Sequence, residues 1–145
     1  MTHVPLTELA QADLRVELRR VETPKGIRLE LRTPDASLAL DAVELEALSW
    51  QSPADVHDLP HAPPTDVPSA DPPDGDDPNR SRLVTISNEF GFVVVYEGET
   101  ADVPWVEFVA KKQHSSIRLN AAGLAAVAQQ DHDLFTAWIA KSLHE

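Results

Sequence analysis

The stretch SLALDAVELEALSW, residues 37–50, returns in altered form as SIRLNAAGLAAVAQ at residues 116–129. Each begins as a short alternating strand, passes an Asp or Asn, and continues as an apolar helix. Recurrence at a fixed period marks one supersecondary unit used twice, and the period decides the fold. With an offset of 77, Leu6 maps to Leu83, Leu9 to Ile86, Val16 to Val93, Leu18 to Val95, Leu29 to Val106 and Leu31 to Phe108. Two extra residues in the turn KKQHS move the offset to 79, after which Leu38 maps to Ile117, Leu40 to Leu119, Leu45 to Leu124 and Leu48 to Val127. The correspondence continues into a second helix. Ser52-Pro53-Ala54-Asp55 has a Ser cap, a Pro at the first helical position and an acid behind it, and Asp131-His132-Asp133 is its counterpart.

Each unit therefore reads as four strands and a helix, with a second helix behind. Strands are expected at about 5–9, 14–21, 27–32 and 37–40, and again at 83–87, 92–97, 105–110 and 116–119. Helices follow at 42–50 and 121–130. The second helix is short in the first unit, where Pro60 stops it, and runs over 132–143 in the last. Ile27, Leu29 and Leu31 alternate with Arg28, Glu30 and Arg32, the pattern of a half-buried strand. The fold expected is α+β: two tandem ββββα(α) repeats with antiparallel sheets. A unit of this size has a thin core, so the copies should pack on each other about a pseudo-twofold axis.

The repeats are expected at 1–60 and 81–145, joined by a Pro/Asp-rich disordered linker over 61–80. The connector QSPADVHDLPHAPPTDVPSADPPDGDDPNR, residues 51–80, holds eight prolines and has a net charge of −6. Such a composition buries too little apolar surface to offset its ordering entropy. Residues 1–50 carry 6 basic and 9 acidic side chains, and residues 81–145 carry 5 and 8, so each folded part is only at −3. The chain total of −12 thus overstates the acidity of the folded surface.

In all, 42% of the 145 residues are hydrophobic, enough for a globular core, yet no apolar run reaches about 18 residues. A membrane span is not expected. The N-terminal MTHVPLTELAQADLR has no basic segment followed by an apolar one, so no secretory signal is read there. Without cysteine there is no disulfide frame, thiolate metal site or thiol nucleophile. The compartment these features suggest is the cytoplasm.

The outer faces of the two sheets differ. In the first unit the outward positions are Arg15, Glu17, Arg19, Arg28, Glu30 and Arg32; in the second they are Phe92, Val94, Tyr96, Trp105, Glu107 and Val109. Strands apolar on both faces are covered on both faces. Phe92, Val94, Tyr96, Trp105 and Val109 are therefore the candidate partner-binding residues, the partner being another protein or a second copy of the chain. Internal packing is the competing account of the same residues. On the first face, Glu17 and Glu30 sit among the arginines, which reads as a solvated face with cross-strand pairing. It lacks aromatic residues on which bases could stack, so nucleic acid is not the expected partner.

Other constellations are weak. His57 and His61, beside Asp55 and Asp58, have metal-ligand spacing only if helical, and Pro60 breaks that geometry. DPPDGDD lacks the ligands of a calcium loop: with Gly75 at the sixth position, the first is Ala70 and the twelfth Ser81. Asp131, His132 and Asp133 read as helix-start residues, and Trp50 and Trp138 as core. No catalytic, cofactor-binding or metal residue is assigned.

The segments IRLELRTP (27–34), LDAVELEALSWQSP (40–53) and ISNEF (86–90) resemble a family of small bacterial proteins labelled dihydrodiol dehydrogenase. The likeness covers nearly all of each unit through structural motifs. It implies a nicotinamide-dependent oxidoreductase, or an association with an oxygenase or aromatic-catabolism system. No GxGxxG follows a strand, and Tyr96 has Thr100 rather than Lys four residues on. The topology also looks like that of tandem-repeat single-strand nucleic-acid binders of the Pur-alpha and positive-cofactor type, which implies function on the outer sheet faces. The function expected is that of a non-enzymatic accessory or protein-interaction module without a cofactor. An enzyme of the labelled pathway and a single-strand nucleic-acid binder are the alternatives.

Overall fold

Leu18 pairs with Leu31, and Val95 pairs with Phe108: the register of the first unit is the register of the second, moved by the offset the sequence predicts. The computed structural model describes residues 2–11, 13–60, 80–100 and 102–143. Strands β1 (Thr2–Gln11), β2 (Leu14–Thr23), β3 (Gly26–Arg32) and β4 (Ser37–Leu40) form one antiparallel sheet in sequential order. Helices α1 (Ala42–Ser49) and α2 (Pro53–His57) follow. Strands β5 (Ser81–Ser87), β6 (Phe92–Thr100), β7 (Val103–Ala110) and β8 (Ser115–Asn120) form the second sheet, followed by α3 (Ala121–Ala128) and α4 (His132–Leu143). The expected α+β fold of two ββββαα units is the one observed. Several strands run longer than their apolar cores, because hairpin pairing continues past the last buried residue. Apart from Arg80, the expected linker at 61–80 lies outside the described residues.

The repeat extends to irregularities. The β1–β2 register shifts between Pro5 and Thr7, and the β5–β6 register shifts between the equivalent Arg82 and Val84. The two-residue insertion folds as a single 3-10 turn, Lys111–Gln113, ended by His114 at φ 54°. In the first unit a tight turn does the same work, with Thr33 N–H donating to Ala36 O at 2.8 Å. Asp41 and Asn120 cap their helices at equivalent positions. Asp41 accepts from Glu44 N at 2.8 Å, and Asp41 N–H donates in return to Glu44 Oε1; Asn120 accepts from Gly123 N at 3.0 Å. Gly123 cannot carry the returning carboxylate, since even a Cβ there would come within 2.9 Å of Leu119.

The units interlock. Helix α1 lies on β6, β7 and β8 of the other unit and against α4, whereas α3 lies on β2 and β3 and against α2. Each helix thus finds its packing partners across the pseudo-twofold axis. All eight residues of α3 are buried, and a helix enclosed on every side has no use for a polar face. One apolar cluster joins the two units, with Leu18, Leu29, Leu31 and Leu45 from the first and Val95, Phe108, Ile117 and Leu124 from the second. Polar contacts stitch the same seam: Ser49 Oγ lies 2.8 Å from Ser115 Oγ, and Thr7 Oγ1 donates to Glu97 Oε2 at 2.7 Å. Among the described residues no helix is long and apolar enough to cross a membrane.

Candidate functional site

Because the registers coincide, outward residues can be compared row by row. In the middle row of the first sheet, Pro5, Arg19, Glu30 and Ala39 stand side by side on β1 to β4. The matching row of the second sheet is Arg82, Tyr96, Glu107 and Arg118. The charged face behaves as its alternation predicts. Arg19 Nε donates to Glu30 Oε1 at 2.7 Å and lies 3.3 Å from Glu17, while Arg15 pairs with Glu8 at 3.2 Å. The exposed Arg15–Glu8 pair contributes little, about 0–1 kcal/mol, whereas Arg19 and Glu30 are part-buried.

On the second face, the five candidate residues divide. Trp105 and Val94 are buried within the chain, at 0% and 3% exposure, whereas Phe92, Tyr96 and Val109 are half-buried. The indole of Trp105 lies against Gly98, so close that a Cβ at 98 would stand 2.4 Å from Cζ2. Its N–H donates to Thr100 Oγ1 at 3.0 Å, and the Arg118 guanidinium stacks on its ring at 3.5 Å from the centroid. Arg80 covers Tyr96 in the same way, at 3.9 Å. Glu107, fully buried, joins the two cations: Arg80 pairs with its Oε1, and Arg118 lies 3.8 Å from its Oε2. Two aromatic rings, each roofed by an arginine, are thus tied together through one carboxylate. Stacking of this kind contributes about 0.5–1 kcal/mol at exposed sites and about 2 kcal/mol where it is desolvated.

Sequence reasoning named the rings but missed their roof. The available signal was positional, since Arg118 replaces Ala39 and Arg80 replaces His3 at the same points of the repeat. Beyond this layer the hairpin between β5 and β6 carries Phe90, 81% exposed, two residues before the half-buried Phe92. Asn88 Oδ1 shapes that turn by accepting from the backbone N–H groups of Phe90 and Gly91, both at 2.8 Å.

The weaker constellations resolve into structure. His132 Nδ1 lies 2.6 Å from Glu44 Oε2, joining α4 to α1, and Asp131 accepts from Asp133 N at 3.0 Å as a helix-start residue. The Trp50 indole donates to Gln113, and Trp138 packs edge-on against the buried Phe135 at 5.2 Å. His57 packs at the end of α2, where burial lowers its pKa. His61 and the DPPDGDD run lie outside the described residues. Among the described residues no group of three or more His, Cys, Asp or Glu side chains converges to hold a metal ion.

No family model, curated protein or solved structure matches the chain. The resemblances drawn from short motifs therefore assign no residue a role. The tandem-repeat architecture rests on the two sheets themselves.

Proposed function

We propose that the protein is a non-enzymatic interaction module that binds another protein, or a second copy of itself, through the outer face of its second sheet. The observation that supports this is the gradation of burial across that face. Trp105 and Val94 are sealed in, whereas Phe92, Tyr96 and Val109 keep part of their surface open, and Phe90 is exposed in the turn that leads into Phe92. The equivalent positions of the first sheet carry Arg15, Arg19 and Arg32. The duplication thus keeps the scaffold and places Phe92, Tyr96 and Val109 where the first sheet has arginines, beside the charged Arg80, Glu107 and Arg118. Aromatic anchors held on a rigid base commonly dominate protein interfaces. The roofed pair Trp105 and Arg118 would act beneath this surface as its support.

The test is a Phe90→Ser/Phe92→Ser variant compared with the unaltered protein. Sedimentation measures self-association, and affinity capture from the native host, followed by binding measurement with the purified partner, measures hetero-association. The variant should lose the association at least tenfold while its melting temperature stays within a few degrees. A monomeric protein without a stoichiometric partner, or an association the variant retains, would overturn the proposal. A role in an oxygenase or aromatic-catabolism system is the pathway reading compatible with it, and a co-purified oxygenase component would decide in its favour.

A further inference from the structure

We propose a separate binding site on the first sheet, in the groove above Arg28, that takes a small planar aromatic carboxylate. The groove is an open depression of about 420 Å³ lined by Val21, Thr23, Pro24 and Ala39, with His3, Lys25, Arg28 and Glu30 around them. Val21 is buried at 3% exposure, and the stems of Arg28 and Lys25 extend the apolar floor. This groove is the pseudo-symmetric counterpart of the roofed tryptophan. His3 corresponds to Arg80, Val21 to Gly98, Arg28 to Trp105 and Ala39 to Arg118.

The comparison shows what the first site lacks. In the second sheet a ring lies below, and the Arg118 cation stacks above it at 3.5 Å. In the first sheet the cation, Arg28, is the lower member, and Ala39 is too short to supply anything above it. The space that Arg118 fills in one copy is open in the other. A planar π-system laid there would complete the same cation–π pair with the order of its members reversed. Neither Arg28 nor Lys25 has an ion-pair partner among the described residues, so the groove presents uncompensated positive charge beside apolar surface. The carboxylate in the lining, Glu30, is already neutralised by Arg19, which donates to Oε1. Lys25, exposed on the β2–β3 turn, also lines the groove and supplies a cation for an anionic group. A ring for Arg28 and an acid for Lys25 together define the ligand class.

The probe is indole-3-acetate, titrated into the full chain and followed by methyl and amide NMR, with indole and acetate as separate arms. Saturable shifts should be centred on Val21, Ala39 and the β2–β3 turn, with a dissociation constant below about 1 mM. Indole alone and acetate alone should each bind at least tenfold more weakly. Arg28→Ala should weaken indole-3-acetate at least tenfold. Ala39→Arg, which supplies the side chain that roofs the second copy, should block the groove. Melting curves within a few degrees of the unaltered protein establish that both variants are folded. No saturable shift up to about 5 mM, shifts centred on the second sheet, equal binding of indole alone, or undiminished binding by both folded variants would each overturn the proposal.

Discussion

Gly98 lies beneath the indole of Trp105 with no room for a single added carbon, since a Cβ would come 2.4 Å from Cζ2 and 2.5 Å from Cη2. The same two positions of the first repeat hold Val21 and Arg28. One copy combines a vanishing side chain with a large flat one, and the other combines a branched side chain with a long flexible one. Each residue therefore suits its neighbour. Gly98→Val alone should destabilise by about 1–3 kcal/mol through overpacking. Trp105→Arg alone should also be costly, because the ring's contacts with Gly98 and Arg118 disappear. The double variant rebuilds the pair of the first copy and should cost less than the sum by more than about 1 kcal/mol. Denaturant unfolding of the four proteins measures this coupling, and simple additivity would contradict it.

Trp105→Ala and Arg28→Ala probe the asymmetry of the two faces. The indole is fully buried, whereas Arg28 is half-buried on the open face. Truncating the tryptophan should cost about 3–5 kcal/mol, and truncating the arginine should stay within about 0.5 kcal/mol. Equal costs, read from the same unfolding curves, would mean that the two faces carry equal structural weight.

The fold was legible because its period is written in apolar residues. Leu18 and Leu31 face each other for the same reason as Val95 and Phe108; matching one pair to the other places the first three strands, and the two-residue shift at KKQHS places the fourth. The interlocking was less visible. The all-buried sequence of α3 shows that it is enclosed, but sheet alternation does not state which sheet encloses it. The second face shows the same limit. Phe92, Tyr96 and Trp105 stand out as replacements for charges, but the roof over Tyr96 and Trp105 comes from Arg80 and Arg118, which look like ordinary surface cations in sequence. Their distances to the rings, 3.9 and 3.5 Å, reveal the layer.

Two titratable groups should tilt stability in opposite directions with pH. Burial in α1 pushes the Glu46 carboxyl up, against the opposing influence of the Phe92 N–H and Lys112. Its charged form therefore costs stability at neutral pH, and that cost is relieved as pH falls through the raised folded value. Glu46→Gln, which can still accept from Phe92 N–H, should stabilise the protein at neutral pH, with the gain vanishing in acid. His57 behaves in the opposite sense, because burial lowers it from 6.5 and leaves the neutral ring favoured. Its contribution is complete above the unfolded value and declines as pH falls below it. His57→Leu should remove that decline. Thermal melts across the pH range measure both slopes, and a Glu46→Gln variant less stable at neutral pH would contradict the assignment for that residue.

The central claim is that the two repeats form one body, because each helix covers the sheet of the other. Its most direct measurement uses residues 1–60 and 80–145 prepared separately and then mixed, followed by sizing and thermal melts. Alone, each half lacks the helix that should cover its sheet, so it should be unfolded or pair with itself in place of its partner. Mixed, the halves should form a 1:1 complex that melts cooperatively. Two halves that are each monomeric, cooperatively folded and indifferent to mixing would contradict the claim.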